Sequence, residues 1–224
     1  MPRLARTVYA EVPHHITHRG NRREDVFFDE EDYQTYLEWL HYYSKQHQLE
    51  ILAYCLMTNH VHLVAVPGTE ISLQQVLKPL HMRYARRINR RNRWEGALLA
   101  RSLLFISNDQ GYMWSAIRYV ERNPVRARMV RKAERYPWSR ASGHCGLTDD
   151  SLLTTLAKWK NMTDQVDNGF AWLAGGDEDN ELSLLRRNIE KGLPCGSDRF
   201  INKLEKLAGR SLHFKAQGRP KHEE

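Results

Sequence analysis

Cysteine is scarce in this 224-residue chain, and its placement excludes two chemistries. Cys55, Cys145 and Cys195 are odd in number and far apart, with no Cys-x-x-Cys pair. That spacing argues against a disulfide framework and against a thiolate zinc site. Long apolar runs are missing too: nothing approaches the roughly 18 consecutive apolar residues of a membrane helix. The opening Met1-Pro2-Arg3-Leu4-Ala5-Arg6 lacks the apolar stretch of a signal peptide. We therefore expect a cytoplasmic chain with no membrane role. Its length suits one average-to-large domain, or a domain with a small addition.

Lysine is the third scarcity, and it is local. Residues 81–143 hold 15 basic residues against 4 acidic ones, and 14 of the 15 are arginine. Residues 1–80 carry 7 against 10, and residues 144–224 carry 12 against 13. The net charge of +7 thus comes wholly from the middle third. Arginine presents a planar fork to phosphates and guanine and stacks on bases. A charge run is commonly a solvated face. An arginine excess this concentrated, beside the groups described next, points to nucleic acid.

Hydrophobic periodicity predicts an order of elements. Val8 to Arg19 alternates loosely around Pro13 and reads as an edge strand. Gly20 to Arg23 is a turn. Asp29 caps a helix whose first turn is acidic and whose stripe is Tyr33, Tyr36, Leu37, Leu40 and Tyr43. Glu50–Met57 and His60–Val66 form a hairpin around Thr58-Asn59. Ser72 and Gln75 open a helix to about residue 92, with Pro79 expected to kink it. A strand within Leu98–Ser107 and a helix capped by Asp109 follow; Met113, Ala116, Ile117 and Val120 are its buried stripe. Pro124 ends or kinks that helix. The class is α+β: one antiparallel sheet with helices on a face, over residues 1–143. Residues 144–224 read as a small helical extension (152–159, 181–191, 197–208) ending in a polar tail, 215–224, expected to be disordered.

The chemistry gathers at His60-Val61-His62. Two histidines at i and i+2 of a strand share a side, where two imidazoles can hold one metal ion. Alone, such a pair is more often packing than a metal site. Here the neighbours Val61, Leu63 and Val64 are core-like, so polar side chains need a reason. Asn59 is placed to orient one ring. Tyr119 and Asn123, four apart, share a helix face, with Arg118, Arg122 and Arg126 recurring on the adjoining side. A phenol titrates near 10 and attacks poorly at neutral pH. A metal-polarised phosphate and nearby arginines would supply the missing activation. A metal, a tyrosine hydroxyl and a third oxygen ligand make sense together on a phosphodiester. His14, His15 and His18 are further candidates for the metal, for DNA, or for plain strand positions. Gly20 to Arg23 suits phosphates, base edges or only a solvated turn.

These residues resemble a family. Tyr54-Cys55-Leu56-Met57 followed by Asn59-His60-Val61-His62-Leu63 looks like the histidine motif of the HUH single-tyrosine transposases. Tyr119-Val120-Glu121-Arg122-Asn123-Pro124-Val125-Arg126-Ala127 resembles the tyrosine helix of their REP-associated branch, named for repetitive extragenic palindromes. His18 to Arg23, Tyr136-Pro137-Trp138-Ser139 and the run from Gly192 to Pro220 are similar to that branch as well. The resemblance implies a ferredoxin-like sheet with the histidine pair on a central strand. It implies Mg²⁺ or Mn²⁺ held by His60, His62 and Asn123, and Tyr119 as nucleophile on single-stranded DNA. The product would be a 5′-phosphotyrosine and a free 3′-OH, and the partner a REP-type hairpin. Arg19, Asn21, Arg22 and Arg23, with Arg83, Arg86, Arg87 and Arg90, would engage bases and hairpin, alongside Arg118, Arg122 and Arg126. A nucleoid-associated location and a monomer are expected, a dimer being the alternative. Thr58, Pro79, Leu98–Ser102 and Arg128 depart from the usual pattern, Arg128 standing where glycine is common.

Two other readings compete with a nicking and joining enzyme. One is a non-catalytic hairpin binder that keeps the fold as a regulator. The other is a hydrolytic nuclease in which Tyr119 is structural. The complete set of His60, His62 and Tyr119 favours the transesterification reading, since a binder has no need of it.

Overall fold

A computed structural model describes residues 7–100, 103–106, 110–149, 168–175 and 179–214. β1 (His14–Arg19), α1 (Glu30–Gln46), β2 (Leu49–Met57), β3 (His60–Pro67), α2 (Ser72–Asn92) and β4 (Leu103–Ile106) make a β-α-β-β-α-β unit. Its four strands form one antiparallel sheet in the order β2-β3-β1-β4. α3 (Gln110–Glu121), α4 (Asn123–Arg126), α5 (Ala141–His144), α6 (Gly169–Ala174), α7 (Asp179–Lys191) and α8 (Asp198–Ala208) follow. The α+β class and ferredoxin-like sheet are those expected. The expected cap at Asp109, the helix 152–159 and the tail 215–224 lie outside the described residues.

Strand alternation sorts the side chains between two cores. Ile16, Ile51, Leu56, Val61, Leu63 and Ala65 face α1 and α2, against Tyr36, Leu40, Leu80 and Tyr84. Those two helices cover one face of the unit. Leu52, Cys55, Met57, Val64 and Val66 point the other way and meet Met113, Ala116, Ile117 and Val120 of α3. Leu185 and Ile189 of α7, with Cys195, complete that second core, so the extension packs on the sheet. α8 sets Leu204 against Tyr9, whose hydroxyl donates to the Leu204 carbonyl at 3.1 Å.

Local signals explain most boundaries. Asp29 caps α1 by accepting from Asp32 N at 3.0 Å. α2 begins differently from the expected capping box: Ser72 Oγ reaches back to accept from Thr69 N at 3.0 Å. Pro79 lies inside α2 without ending it. β1 is a correction. Pro13 suggested an edge strand, yet β1 starts just after it and lies between β3 and β4. A proline at the threshold removes no ladder donor from the paired residues, so it is no bar to the interior.

Candidate active site

His60 and His62 fall on the sheet face turned to α3, because Val61 and Leu63 take the opposite core. Register then fixes their neighbours. Thr17 stands across from His62 and Arg19 from His60 on β1; Cys55 and Met57 stand across on β2. The two imidazoles lie edge to face, ring centroids 4.8 Å apart. α3 brings Tyr119 onto the same face, its ring centroid 6.0 Å from His62 and 5.8 Å from His15. Residues far apart in the chain close into one cluster.

Alternation also divides the three amino-terminal histidines. His15 belongs to the site: its Nε2 lies 3.0 Å from His62 Nδ1, and Thr17 Oγ1 lies 3.1 Å from the same atom. His14 and His18 share the opposite face with Ile16. His18 meets His81 of α2 there, at 3.3 Å between ring nitrogens. Thr17 joins this cluster although its sequence neighbourhood did not announce it; its pairing with His62 reveals it.

The tautomers follow from the partners. The side-chain oxygen of Asn59 only accepts, so His60 Nδ1 donates to it at 2.6 Å, leaving Nε2 unprotonated in the neutral ring. Burial pushes His60 down to about 4 and His15 to about 3, and His62 well below the ordinary imidazole range. All three are therefore neutral at pH 7, the state in which an imidazole ligates a metal.

Tyr119 and Asn123 are tied together by Arg126. Its guanidinium lies 4.2 Å from the centre of the Tyr119 ring and donates to the Tyr119 carbonyl. It also donates to Asn123 Oδ1 at 3.0 Å. The Nδ2 of Asn123 is buried with no hydrogen-bond partner among the described residues. No three His, Cys, Asp or Glu side chains gather as a metal site among those residues. Two neutral imidazoles and an amide oxygen fit a hard divalent ion with positions left for substrate oxygens. The amide oxygen has a second lone pair beside the one Arg126 uses.

The turn after β1 leads away from this cluster into a cleft. Gly20 is required there, since a Cβ would lie 2.1 Å from the Glu24 carbonyl oxygen. Arg22 and Arg23 follow with φ of 54° and 66°, in the left-handed region. Asn59 Nδ2 donates to the Arg23 carbonyl at 3.1 Å, so one side chain links this turn to His60. The cleft, about 810 Å³, is lined by Asn21, Arg22, Arg23, Phe28 and Trp94 among others. Phe28 and Trp94 are 44% and 50% exposed and meet edge to face at 5.6 Å.

The arginines of the middle third divide by partner. Arg87 pairs with Glu31 at 2.7 Å, and Arg83 lies 4.1 Å over the Trp39 ring. Arg91 clamps Asp32 at 2.7 Å and Asp29 at 2.8 Å. Arg86 and Arg90, one helical turn apart and exposed, form no ion pair among the described residues. Arg122 donates to the Leu173 carbonyl, and Arg118 lies beside Gly175, so both point into the extension.

Among the described residues no helix is long and apolar enough to cross a membrane. No curated protein matches the chain. Among solved structures, a REP-associated tyrosine transposase bound to a REP hairpin is similar in fold. Its TM-score is 0.56 at 15% identity, over 69% of this chain and 98% of that one. The sequence pattern of the family described as "Transposase IS200 like" matches residues 8–123, from before β1 to the first residue of α4. The chain belongs to that IS200-like transposase family.

Proposed function

We propose that the chain nicks and rejoins single-stranded DNA at REP-like hairpins, with Tyr119 as nucleophile. His60, His62 and Asn123 would hold Mg²⁺ or Mn²⁺. One observation carries the reading: the Tyr119 ring of α3 lies 6.0 Å from that of His62, on one sheet face of an IS200-like transposase. The bound ion supplies Lewis-acid polarisation of the scissile phosphate. The Tyr119 oxygen attacks phosphorus, and the proton it gives up is matched by the one the departing 3′ oxygen takes up. The bond to the 3′ oxygen breaks, leaving a 5′-phosphotyrosine and a 3′-OH. Attack by a 3′-OH reverses the step, so strands rejoin without an external energy source. Arg126, over the ring, stabilises the charge that develops on the phenolic oxygen.

DNA contacts are assigned by availability. Arg19 is exposed opposite His60. Arg22 and Arg23 edge a cleft whose exposed Phe28 and Trp94 offer stacking surfaces for unpaired bases. Arg86 and Arg90 extend from α2 toward phosphates. Arg83, Arg87, Arg118 and Arg122 make internal contacts and rank behind them.

The test is incubation with labelled single-stranded REP-hairpin DNA and Mn²⁺, read on a denaturing gel. Wild type is expected to form a covalent protein–DNA adduct, and Tyr119→Phe and His62→Ala none. Cleavage that survives Tyr119→Phe without adduct would replace this reading with a hydrolytic nuclease. The contact of Arg126 with Asn123 Oδ1 leaves a second reading, a hairpin-binding regulator whose ligand set stays closed. Tight binding without adduct or cleavage across several hairpins would select it.

A further inference from the structure

The helix that carries Tyr119 has a weak joint directly after it. Pro124 has no N–H, so the helical ladder loses the bond to the Val120 carbonyl. Arg122 N to Arg118 O at 2.9 Å and Arg126 N to Arg122 O at 3.0 Å bridge the junction with α4. Tyr119 stands on one side of the joint and Asn123 on the other. Besides these bonds and the Arg126 contacts to Tyr119 O and Asn123 Oδ1, their relative placement depends on what packs against the joint.

The extension grips this joint at both of its residues. Glu121 is fully buried, and His144 of α5 donates from Nδ1 to its Oε1 at 2.6 Å. The imidazole sits in a box of two indoles: Trp114 at 6.4 Å, Trp172 at 6.1 Å, and the indoles 5.5 Å from each other. Arg122, the next residue, donates to the Leu173 carbonyl of α6. α6 reaches α5 only because residue 169 is glycine; a Cβ there would lie 2.3 Å from the His144 carbonyl oxygen. Asn168 caps α6 at that point, accepting from Phe170 N at 3.0 Å and Ala171 N at 3.1 Å. A buried carboxylate costs several kcal/mol unless it is paired, so the contact is selective for a donor at position 144.

We propose that α5 and α6 form a clasp that sets, within one chain, how Tyr119 and Asn123 stand against His60 and His62. Glu121 and His144 are its positioning residues. The inference rests on the proposed role of Tyr119. It adds that the extension belongs to the reaction geometry rather than to DNA binding. A misplacement of about 1 Å costs on the order of 10²-fold in rate when the reacting groups are otherwise intact.

The test compares wild type, His144→Ala, His144→Gln and Trp172→Leu in three assays. These are single-turnover adduct formation with a Mn²⁺-supplemented REP hairpin, hairpin affinity, and hydrogen exchange. In His144→Ala the adduct rate is expected to fall ~10- to 100-fold, with hairpin Kd changed less than about 2-fold. His144→Gln keeps a side-chain N–H for Glu121 and is expected to recover most of the rate. Amide exchange should quicken at residues 121–126 and stay unchanged in β2 and β3. An unaltered adduct rate, equal loss of rate and affinity, no rescue by glutamine, or faster exchange spread through the sheet would each overturn the clasp. Trp172→Leu opens the indole box without stripping Glu121 of its donor, and serves if His144→Ala does not fold. If wild type forms no adduct, the role of Tyr119 fails. The exchange pattern then still decides whether residues 121–126 are held by the extension.

Discussion

Arg128 closes α4 in the left-handed region, at φ 58°. Its N–H bonds Val125 O at 2.9 Å and the next N–H bonds Pro124 O at 2.9 Å, the paired closure that favours glycine after a helix. An L side chain there pays a steric cost that glycine avoids, partly offset by the freer unfolded chain of glycine. Arg128→Gly is therefore expected to raise stability by about 0.5–1 kcal/mol. Urea unfolding measures it, and a loss of stability would refute the strain. At the same scale, much of the candidate cluster was legible. Histidines at i and i+2 and a tyrosine four residues before an asparagine announced themselves by spacing. His14, His15 and His18 could not be sorted, because the phase of a strand depends on where it starts and on which residues oppose it. Thr17 carried no signal, since nothing local marks a threonine that faces His62 across the sheet.

Along α2 the arginines share a helix yet answer to different partners. Arg91 makes a two-point clamp on Asp32, whose side chain is fully buried and also accepts from Phe28 N at 3.0 Å. Arg91→Ala strips that carboxylate of its cation and is expected to cost about 1–3 kcal/mol of stability. Arg90→Ala removes an exposed charge; stability should hold while hairpin affinity falls and the slope of log K against log salt shrinks by roughly 1. Salt-dependent binding and urea unfolding on both variants separate the roles, and reversed phenotypes would refute the division. Sequence could not make this division. The acids that engage Arg87 and Arg91 lie more than fifty residues upstream, in a first turn that reads equally well as dipole compensation. The elements themselves were readable because periodicity and caps are local. The interior position of β1 was not, because strand order is set by pairings that Pro13 does not report.

Over the whole molecule, the two cores enclose imidazoles that the fold keeps uncharged, and this makes stability depend on pH. His14 is fully buried; its ring accepts from Tyr9 N at 3.3 Å and donates to Val12 O at 2.6 Å. Burial lowers its pKa to about 4. His81, hydrogen-bonded to Tyr36 at 3.0 Å, is lowered well below the ordinary range for the same reason. The unfolded chain protonates these rings near 6.5 while the folded chain does not. Stability is therefore fully present above about 6.5 and is lost as pH falls toward the folded values. For His14 the slope approaches ~1.4 kcal/mol per pH unit, levelling near pH 4. Both rings lie on the face away from His60 and His62, so the effect should persist with a chelator present. Urea unfolding at pH 7.5, 6.5 and 5.5 is expected to show falling stability, with His14→Gln removing close to one proton of the dependence. A flat profile over that range would mean that the imidazoles are protonated within the fold. The neutral state that suits His60 and His62 to a metal would then lose its physical basis as well, since burial is the leading cause in both places.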